Sequence, residues 1–340
     1  MRKKLSILIR TSGGLAPKKQ LGFGHIYRTL NLAKNLKSHT IKFLLEDYGG
    51  GKEILISKGF TNIKLLKKNI SLDAEKQITT SEIKKNKVDL LIIDRYQLKK
   101  DYVNSISKIV KTIVISDLNN LNYKCDLVIN GFIGFENSVI KNKFKSKCLI
   151  GPKYQILDDR FSNLKKLSKK YTLLASFGGY DESGIIYILL KSLENYISKM
   201  KVKIILGPGT KYDSKIKKFE KLYGQNLVIS QKTNSMFSEI SKSKYGLCSG
   251  GITSYEFAAC KIPFGIISQV NHQLITSSEW EKSGIAINLG KKNKKLETNL
   301  KKFFESILTN KLNTKTSQTI DGLGSKRISN IILDLFIENH

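Results

Sequence analysis

From end to end the chain alternates short β-branched, aliphatic runs with stretches whose apolar residues fall at helical spacing. That alternation constrains the fold more than any single motif, because neighbouring parallel strands need a crossover and the usual crossover is a helix. In the first half, strands are expected at 4–10, 41–45, 62–66, 88–94, 112–116 and 126–130, with helices near 26–38, 51–59, 73–87 and 99–110. Gly151-Pro152 marks a junction, followed by an expected lysine-rich helix at 155–170. The opening arrangement then returns: Tyr171–Phe177 as a strand, Gly178-Gly179 as a turn, and a helix from about Ser183. Further strands are expected near 201–206, 227–230, 244–248, 264–268 and 285–289. A last helical stretch, 316–338, is a candidate to cross back to the first domain. The fold class is α/β: two Rossmann-like doubly wound domains, 1–150 and 151–340, facing across a cleft that is the natural site.

With 340 residues, 40% hydrophobic and 26% charged, the chain can bury two cores. It has no run of eighteen apolar residues, and Met1-Arg2-Lys3-Lys4 leads directly into a strand pattern, so a cytoplasmic protein without a membrane segment is expected. A net charge of +31 raises the question of nucleic acid. Arginine, however, occurs only at Arg2, Arg10, Arg28, Arg95, Arg160 and Arg327, and the lysines are spread along helix faces with no RNP, zinc-finger or bZIP pattern. Dispersed lysine that steers an anionic substrate is the better account, and no nucleic-acid partner is expected. Cys125, Cys148, Cys248 and Cys260 lack CxxC spacing, and His25, His39, His272 and His340 lack HxH or HxxxH pairing. Neither a disulfide, a metal nor a cofactor is expected.

Two glycine-rich segments carry the chemistry. Gly22-Phe23-Gly24-His25-Ile26-Tyr27-Arg28 lies where a loop enters a helix, which puts His25 in the first turn. The partial positive charge there favours a neutral imidazole able to take a proton; the alternative is that His25 caps the helix or packs beneath the loop. Ser249-Gly250-Gly251-Ile252-Thr253-Ser254-Tyr255-Glu256 follows a strand directly. Its glycines allow close backbone approach, its helix N-terminus suits a diphosphate, and Glu256 is placed for ribose hydroxyls; the alternative is an ordinary tight turn. Gly178-Gly179, with Asp181 beyond, and Asn271-His272-Gln273 lie at the same sheet edge. In the first half Asp94, Tyr96, Asp117 and Asn130 end or follow strands at the ligand-binding edge. Neither segment is GxGxxG, since Tyr27 stands where the third glycine would fall, and neither carries the GK[ST] of a P-loop.

Taken in order, Arg10-Thr-Ser-Gly-Gly, Gly22–Arg28, Ile93-Asp-Arg-Tyr96, Ser116-Asp-Leu118, Gly151-Pro-Lys-Tyr154, Ser176-Phe-Gly-Gly179 and Ser249–Glu256 resemble the motifs of the UDP-sugar hydrolases of the pseudaminic acid pathway and their spore-coat relatives, the PseG/SpsG-like family. The resemblance covers about 1–290. It implies the GT-B fold of the MurG-type glycosyltransferases and metal-independent hydrolysis of a UDP-linked 2,4-diacetamido-2,4,6-trideoxy sugar, water attacking the anomeric carbon. On that resemblance His25 is the general base. Gly22, Gly24, Arg28, Asp94 and Tyr96 line the sugar side with Asn271, His272 and Gln273, where the family has Asp-Asn-Gln. Gly178, Gly179, Ser249, Gly250, Gly251, Thr253, Ser254 and Glu256 hold the nucleotide. Leu15–Leu21 lengthens the loop before His25 and would lie as a lid over the sugar. The rivals are an inverting glycosyltransferase of the same fold and, more remotely, a lysine-rich nucleic-acid binder.

Overall fold

The computed structural model describes residues 3–16, 21–116, 121–136, 142–164, 167–181, 183–231, 233, 235–312 and 314–336. The chain forms two compact units, one of Met1–Asp159 with Leu323–His340, the other of Arg160–Gly322.

The first unit runs β1 (Ser6–Gly13), α1 (Gly24–Asn35), β2 (Thr40–Asp47), α2 (Gly51–Ser57), β3 (Ile63–Leu66), α3 (Leu72–Lys85), β4 (Leu90–Asp94), α4 (Lys100–Ile106), β5 (Lys111–Ile115), β6 (Leu127–Asn130) and β7 (Lys147–Ile150). Its strands form one parallel sheet in the order β3-β2-β1-β4-β5-β6-β7. β1 is apolar over Ile7–Ile9 and β4 over Leu90–Ile93 because helices cover both their faces. Ile7, Ile9, Leu90 and Ile92 pack on one side with Ile26 and Leu30 of α1. Leu8, Leu91 and Ile93 pack on the other with Tyr102 and Val103 of α4.

The second unit runs β8 (Tyr171–Ser176), α5 (Ile185–Ser192), β9 (Val202–Ile205), α6 (Ser214–Tyr223), β10 (Leu227–Ser230), α7 (Met236–Ser241), β11 (Ser243–Cys248), α8 (Ile252–Ala259), β12 (Phe264–Ser268), α9 (Asn271–Lys282), β13 (Ala286–Lys291) and α10 (Leu296–Leu308). The parallel order is β10-β9-β8-β11-β12-β13. Leu173, Val202 and Leu247 pack with Leu189 of α5 and Leu300 and Phe303 of α10. Trp280, fully buried, meets Tyr255 and Phe264 edge to face, with ring centroids 4.9 and 5.6 Å away.

The structure corrects three expectations. Described residues of the 155–170 segment form no α-helix; short 3-10 turns stand at Pro152–Tyr154 and Asp159–Ser162. Gln155, Ile156 and Leu157 are buried in succession, which one face of a surface helix cannot achieve. Lys147–Ile150, expected only to lead into a junction, is an edge strand paired with β6. The last helix, α11 (Gly324–Asp334), is shorter than 316–338; it packs in the first unit, burying Ile328 and Ile332 with the α1-side core. The cysteines are all free thiols, Cys248 buried and the others half-buried.

Candidate functional site

In the first unit, β1 and β4 are neighbours while β2 and β5 lie outward on either side, so the loops leaving β1 and β4 diverge at a topological switch point. The register aligns Thr11 with Asp94, the last residue of β4. His25 is the second residue of α1, whose N-terminus has no side-chain cap and no acidic residue in its first turn. Its Nδ1 lies 2.7 Å from Asp94 Oδ1. Arg28, one turn on, forks onto the same carboxylate, Nε to Oδ2 at 2.8 Å and a terminal nitrogen to Oδ1 at 2.5 Å. Asp94 has no exposed surface and Arg28 only 4%. A carboxylate paired with a guanidinium can only accept, so the Nδ1 contact assigns the ring proton to Nδ1 and the lone pair to Nε2. The 3.1 Å approach of Arg28 to Nδ1 is then two donors meeting at one acceptor, Asp94, and not a further hydrogen bond. Arg28 and Asp94 are thus turned toward His25. The result is an imidazole held in one orientation at a helix N-terminus.

Around it, Gly22 accepts the Gly14 N–H at 3.1 Å, and Gly24 is the first residue of α1. At Gly13 a Cβ would stand 2.9 Å from the Gly22 carbonyl oxygen and 2.6 Å from Ile26 Cδ1, so a larger residue would push the loop before α1 off β1. Tyr96 is half-buried, and its N–H donates to Ser12 Oγ at 3.3 Å. Ala16 and Leu21 pair at the neck of the lengthened loop; 17–20 at its tip, like Asp117 and Leu118, lie outside the described residues. Asn130 is fully buried at the end of β6.

In the second unit β8 and β11 are the adjacent central strands, and the loops after them carry the second set of residues. α8 begins after Gly251 with no side-chain cap and no acid in its first turn. A Cβ at Gly251 would meet only Ser249 Oγ, at 3.9 Å, so its backbone borders open space. Gly250 instead packs on α9: a Cβ there would lie 3.1 Å from Gln273 Cβ and 3.2 Å from Thr276 Oγ1. Thr253 and Glu256 are half-buried in the first two turns of α8, whereas Ser254 is buried and donates its hydroxyl to the Gly251 carbonyl at 2.7 Å. Gly178 has φ of +80°, a conformation that favours glycine, and Gly179 O accepts the Gly209 N–H at 2.9 Å. Asn271 is exposed at the first position of α9 and His272 follows it; Gln273 Oε1 accepts the Gln269 N–H at 2.9 Å. The Asp181 carboxylate, ahead of the N-cap Gly184, accepts the Ile185 and Ile186 N–H groups of α5 at 2.8 Å each. It therefore fills that helix N-terminus, whereas the N-cap residue of α8, Gly251, brings no side chain to its own.

Sequence reasoning missed the Gly207-Pro208-Gly209 loop. A Cβ at Gly207 would stand 2.0 Å from Gly178 O and one at Gly209 2.0 Å from the Tyr180 ring, so the loop after β9 braces the Gly178-Gly179 turn. Two glycines directly after a strand were the available signal. Also missed was Gln269, whose side-chain amide donates to Phe177 O and ties the β12 loop to the β8 loop. Among the described residues no group of three or more His, Cys, Asp or Glu could hold a metal, and no helix is long and apolar enough to cross a membrane.

Two doubly wound parallel units with glycine loops at the carboxyl edge of each sheet are the GT-B fold. Acinetobacter baumannii MurG superposes with a TM-score of 0.67 at 13% identity, covering 97% of this chain and 99% of that one. MnaA from S. aureus, in a co-structure with UDP, gives 0.67 at 12% identity over 98% and 97%. In sequence the chain is similar to the spore coat polysaccharide biosynthesis protein SpsG of Bacillus subtilis, 25% identical over 284 residues, 79% of this chain and 80% of SpsG. It is also 25% identical over 279 residues to an uncharacterized protein of Methanocaldococcus jannaschii, spanning 78% of this chain but only 56% of that protein's length. No family model matches the chain. The chain is thus similar in sequence to SpsG and has the GT-B fold.

Proposed function

We propose that this protein is a UDP-sugar hydrolase that cleaves a UDP-linked 2,4-diacetamido-2,4,6-trideoxy sugar to free sugar and UDP, in the biosynthesis of a pseudaminic-acid-type or other surface polysaccharide. The observation that carries the reading is the buried Asp94–Arg28 pair holding His25 by Nδ1, 2.7 Å from Asp94. With the lone pair on Nε2, the ring can remove a proton from water as it attacks the anomeric carbon. UDP is a weakly basic leaving group, so no second carboxyl is needed to protonate it. The uncapped N-terminus of α8 suits the charge that develops on the diphosphate, and Glu256 suits the ribose. Similarity to SpsG and the UDP held by a GT-B neighbour support the nucleotide-sugar substrate.

A transferase would use the same base on an acceptor hydroxyl, and the two activities part on product analysis. Incubation with UDP-sugar in ¹⁸O-water and no acceptor is expected to yield sugar and UDP in equal amounts, with the label in the sugar. His25→Ala is expected to lower the rate by about 10²–10⁴ while leaving UDP binding nearly intact. Turnover only on adding an acceptor replaces hydrolysis by transfer, and label in the UDP phosphate overturns attack at carbon.

A further inference from the structure

On the face of the first sheet away from α1, a chain of alternating charges runs beneath the site. Arg10, fully buried on β1, donates from Nε to Glu75 Oε1 of α3 at 2.7 Å and from a terminal nitrogen to Glu46 Oε2 of β2 at 2.9 Å. Glu75 accepts from Arg95 with its other oxygen, and Glu46 accepts the Tyr48 hydroxyl at 2.7 Å. Burial by itself would weaken the Arg10 guanidinium's hold on its proton, but the charges of Glu75 and Glu46 outweigh it and raise its pKa. Buried ion pairs repay their desolvation poorly as stabilisers, and their best-attested use is to select one geometry.

The geometry selected here is that of the turn after β4. Side chains alternate along a strand, so Asp94 points to the α1 face, where it holds His25, and Arg95 points to the α3 face, where Glu75 takes it. Tyr96 comes next with both backbone polar groups bound: its N–H by Ser12 Oγ and its C=O by Arg95 Nε, each at 3.3 Å. Gln97 then turns the chain at φ of +50°.

We propose that Arg95, anchored through Glu75 to the buried Arg10, is a positioning residue that fixes Tyr96 at the carboxyl edge of the first sheet. This rests on the reading above that Tyr96 lies beside the sugar. Arg95 touches no reacting atom; it acts by removing the rotational freedom of the peptide that carries the Tyr96 ring. The Arg95 side chain is 16% exposed, and Glu75 keeps Arg10 when Arg95 is changed. Arg95→Met is therefore the informative variant, with Arg95→Lys as the milder one that keeps the charge but loses the two-nitrogen fork.

The test uses the full chain labelled with 3-fluorotyrosine, the Tyr96 ¹⁹F resonance being assigned by its loss in Tyr96→Phe. Without substrate, Arg95→Met is expected to shift or broaden the Tyr96 resonance, and Arg95→Lys to do so by less. In kinetics on the UDP-sugar, Arg95→Met is expected to lower kcat by about 10–100-fold, the scale of a small misplacement. The loss should be absent on top of Tyr96→Phe, because residues acting through one another are not additive. A Tyr96 resonance unmoved in both Arg95 variants, or losses that simply multiply, overturns the proposal. Should no UDP-sugar be turned over by the native enzyme, the function fails by itself and the resonance still decides the positioning.

Discussion

Asp94→Asn tests how much of the site resides in one buried carboxylate. The native group accepts three contacts, from His25 Nδ1 at 2.7 Å and from two nitrogens of Arg28 at 2.8 and 2.5 Å. An asparagine has one oxygen and one NH₂, so it cannot accept from both residues on both atoms. If its oxygen stays with Arg28, its NH₂ faces His25, makes Nδ1 the acceptor, and moves the ring proton to Nε2. The base is then in the wrong tautomer, and kcat should fall by about 10²–10⁴, as for loss of a general base. The guanidinium also loses its counter-charge in a fully buried setting, which costs about 3–5 kcal/mol. For a unit of this size that is a fall in melting temperature of roughly 6–20 °C. Affinity for UDP should hardly change, since Glu256 and the N-terminus of α8 are untouched. The assays are turnover of UDP-sugar, calorimetric titration with UDP, and ¹⁵N chemical shifts of the His25 ring, which report the tautomer directly. A folded Asp94→Asn enzyme with the native tautomer and near-native rate would refute the reasoning, because the carboxylate would then set neither the orientation nor the protonation of His25.

Three further expectations concern other parts of the molecule. Glu256→Ala should weaken UDP binding by about 1.5–3 kcal/mol, the range for a hydrogen bond involving a charged group, and unchanged calorimetric affinity would remove it from the nucleotide cradle. Burial alone would raise the Glu82 carboxyl, but hydrogen bonds and charge from Lys42 and Lys64 bring it from 4.5 down to about 2. Being lower when folded, it stabilises fully above 4.5 and loses that contribution as pH falls toward 2, so Glu82→Gln should flatten the acid limb of the stability curve; an unaltered limb in denaturant titrations counts against the pairing. Thr11 Oγ1 is buried with no hydrogen-bond partner among the described residues, so Thr11→Val should raise stability by about 0.5–1 kcal/mol, and a loss of more than that on chemical denaturation would mean the hydroxyl is satisfied.

Elements that bury two faces of a sheet were legible in the sequence, because Leu90–Ile93 and Leu173-Leu174-Ala175 are apolar at every position and can hardly be anything but central strands. The segment after Gly151 was misread for the opposite reason. Its apolar residues, Ile156, Leu157 and Phe161, are spaced well enough for a helix, but α11 holds the first two extended: Ile156 packs in the core with Ile328 and Ile332, and Ser325 donates to Leu157 O at 2.7 Å across 168 positions of sequence. The glycine loops at 22–24, 178–179 and 249–251 could be read locally, since a turn between strand and helix needs those residues wherever it stands. The Gly207–Gly209 brace could not be weighed in the same way, because its importance lies in the 2.0 Å between a would-be Cβ and Gly178 O, a consequence of β9 lying beside β8.

Asp94 separates what position can tell from what topology must supply. The end of β4 marks it as a residue at the ligand edge, and from there a direct contact with substrate is the natural expectation. Its partners, however, are 66 and 69 positions away in the chain, and they reach it only because β4 crosses over to lie against β1 with α1 above both. With no exposed surface, the carboxylate meets His25 and Arg28 before anything bound can meet it. The alternation that sends Asp94 to the α1 face sends Arg95 to the other, where Glu75 waits 20 positions upstream. One strand end thus orients an imidazole on one face of the sheet and, from the other, places Arg95 between Glu75 and the Tyr96 carbonyl, and a polar strand end, read from sequence, is as much a candidate for aiming its neighbours as for touching the ligand.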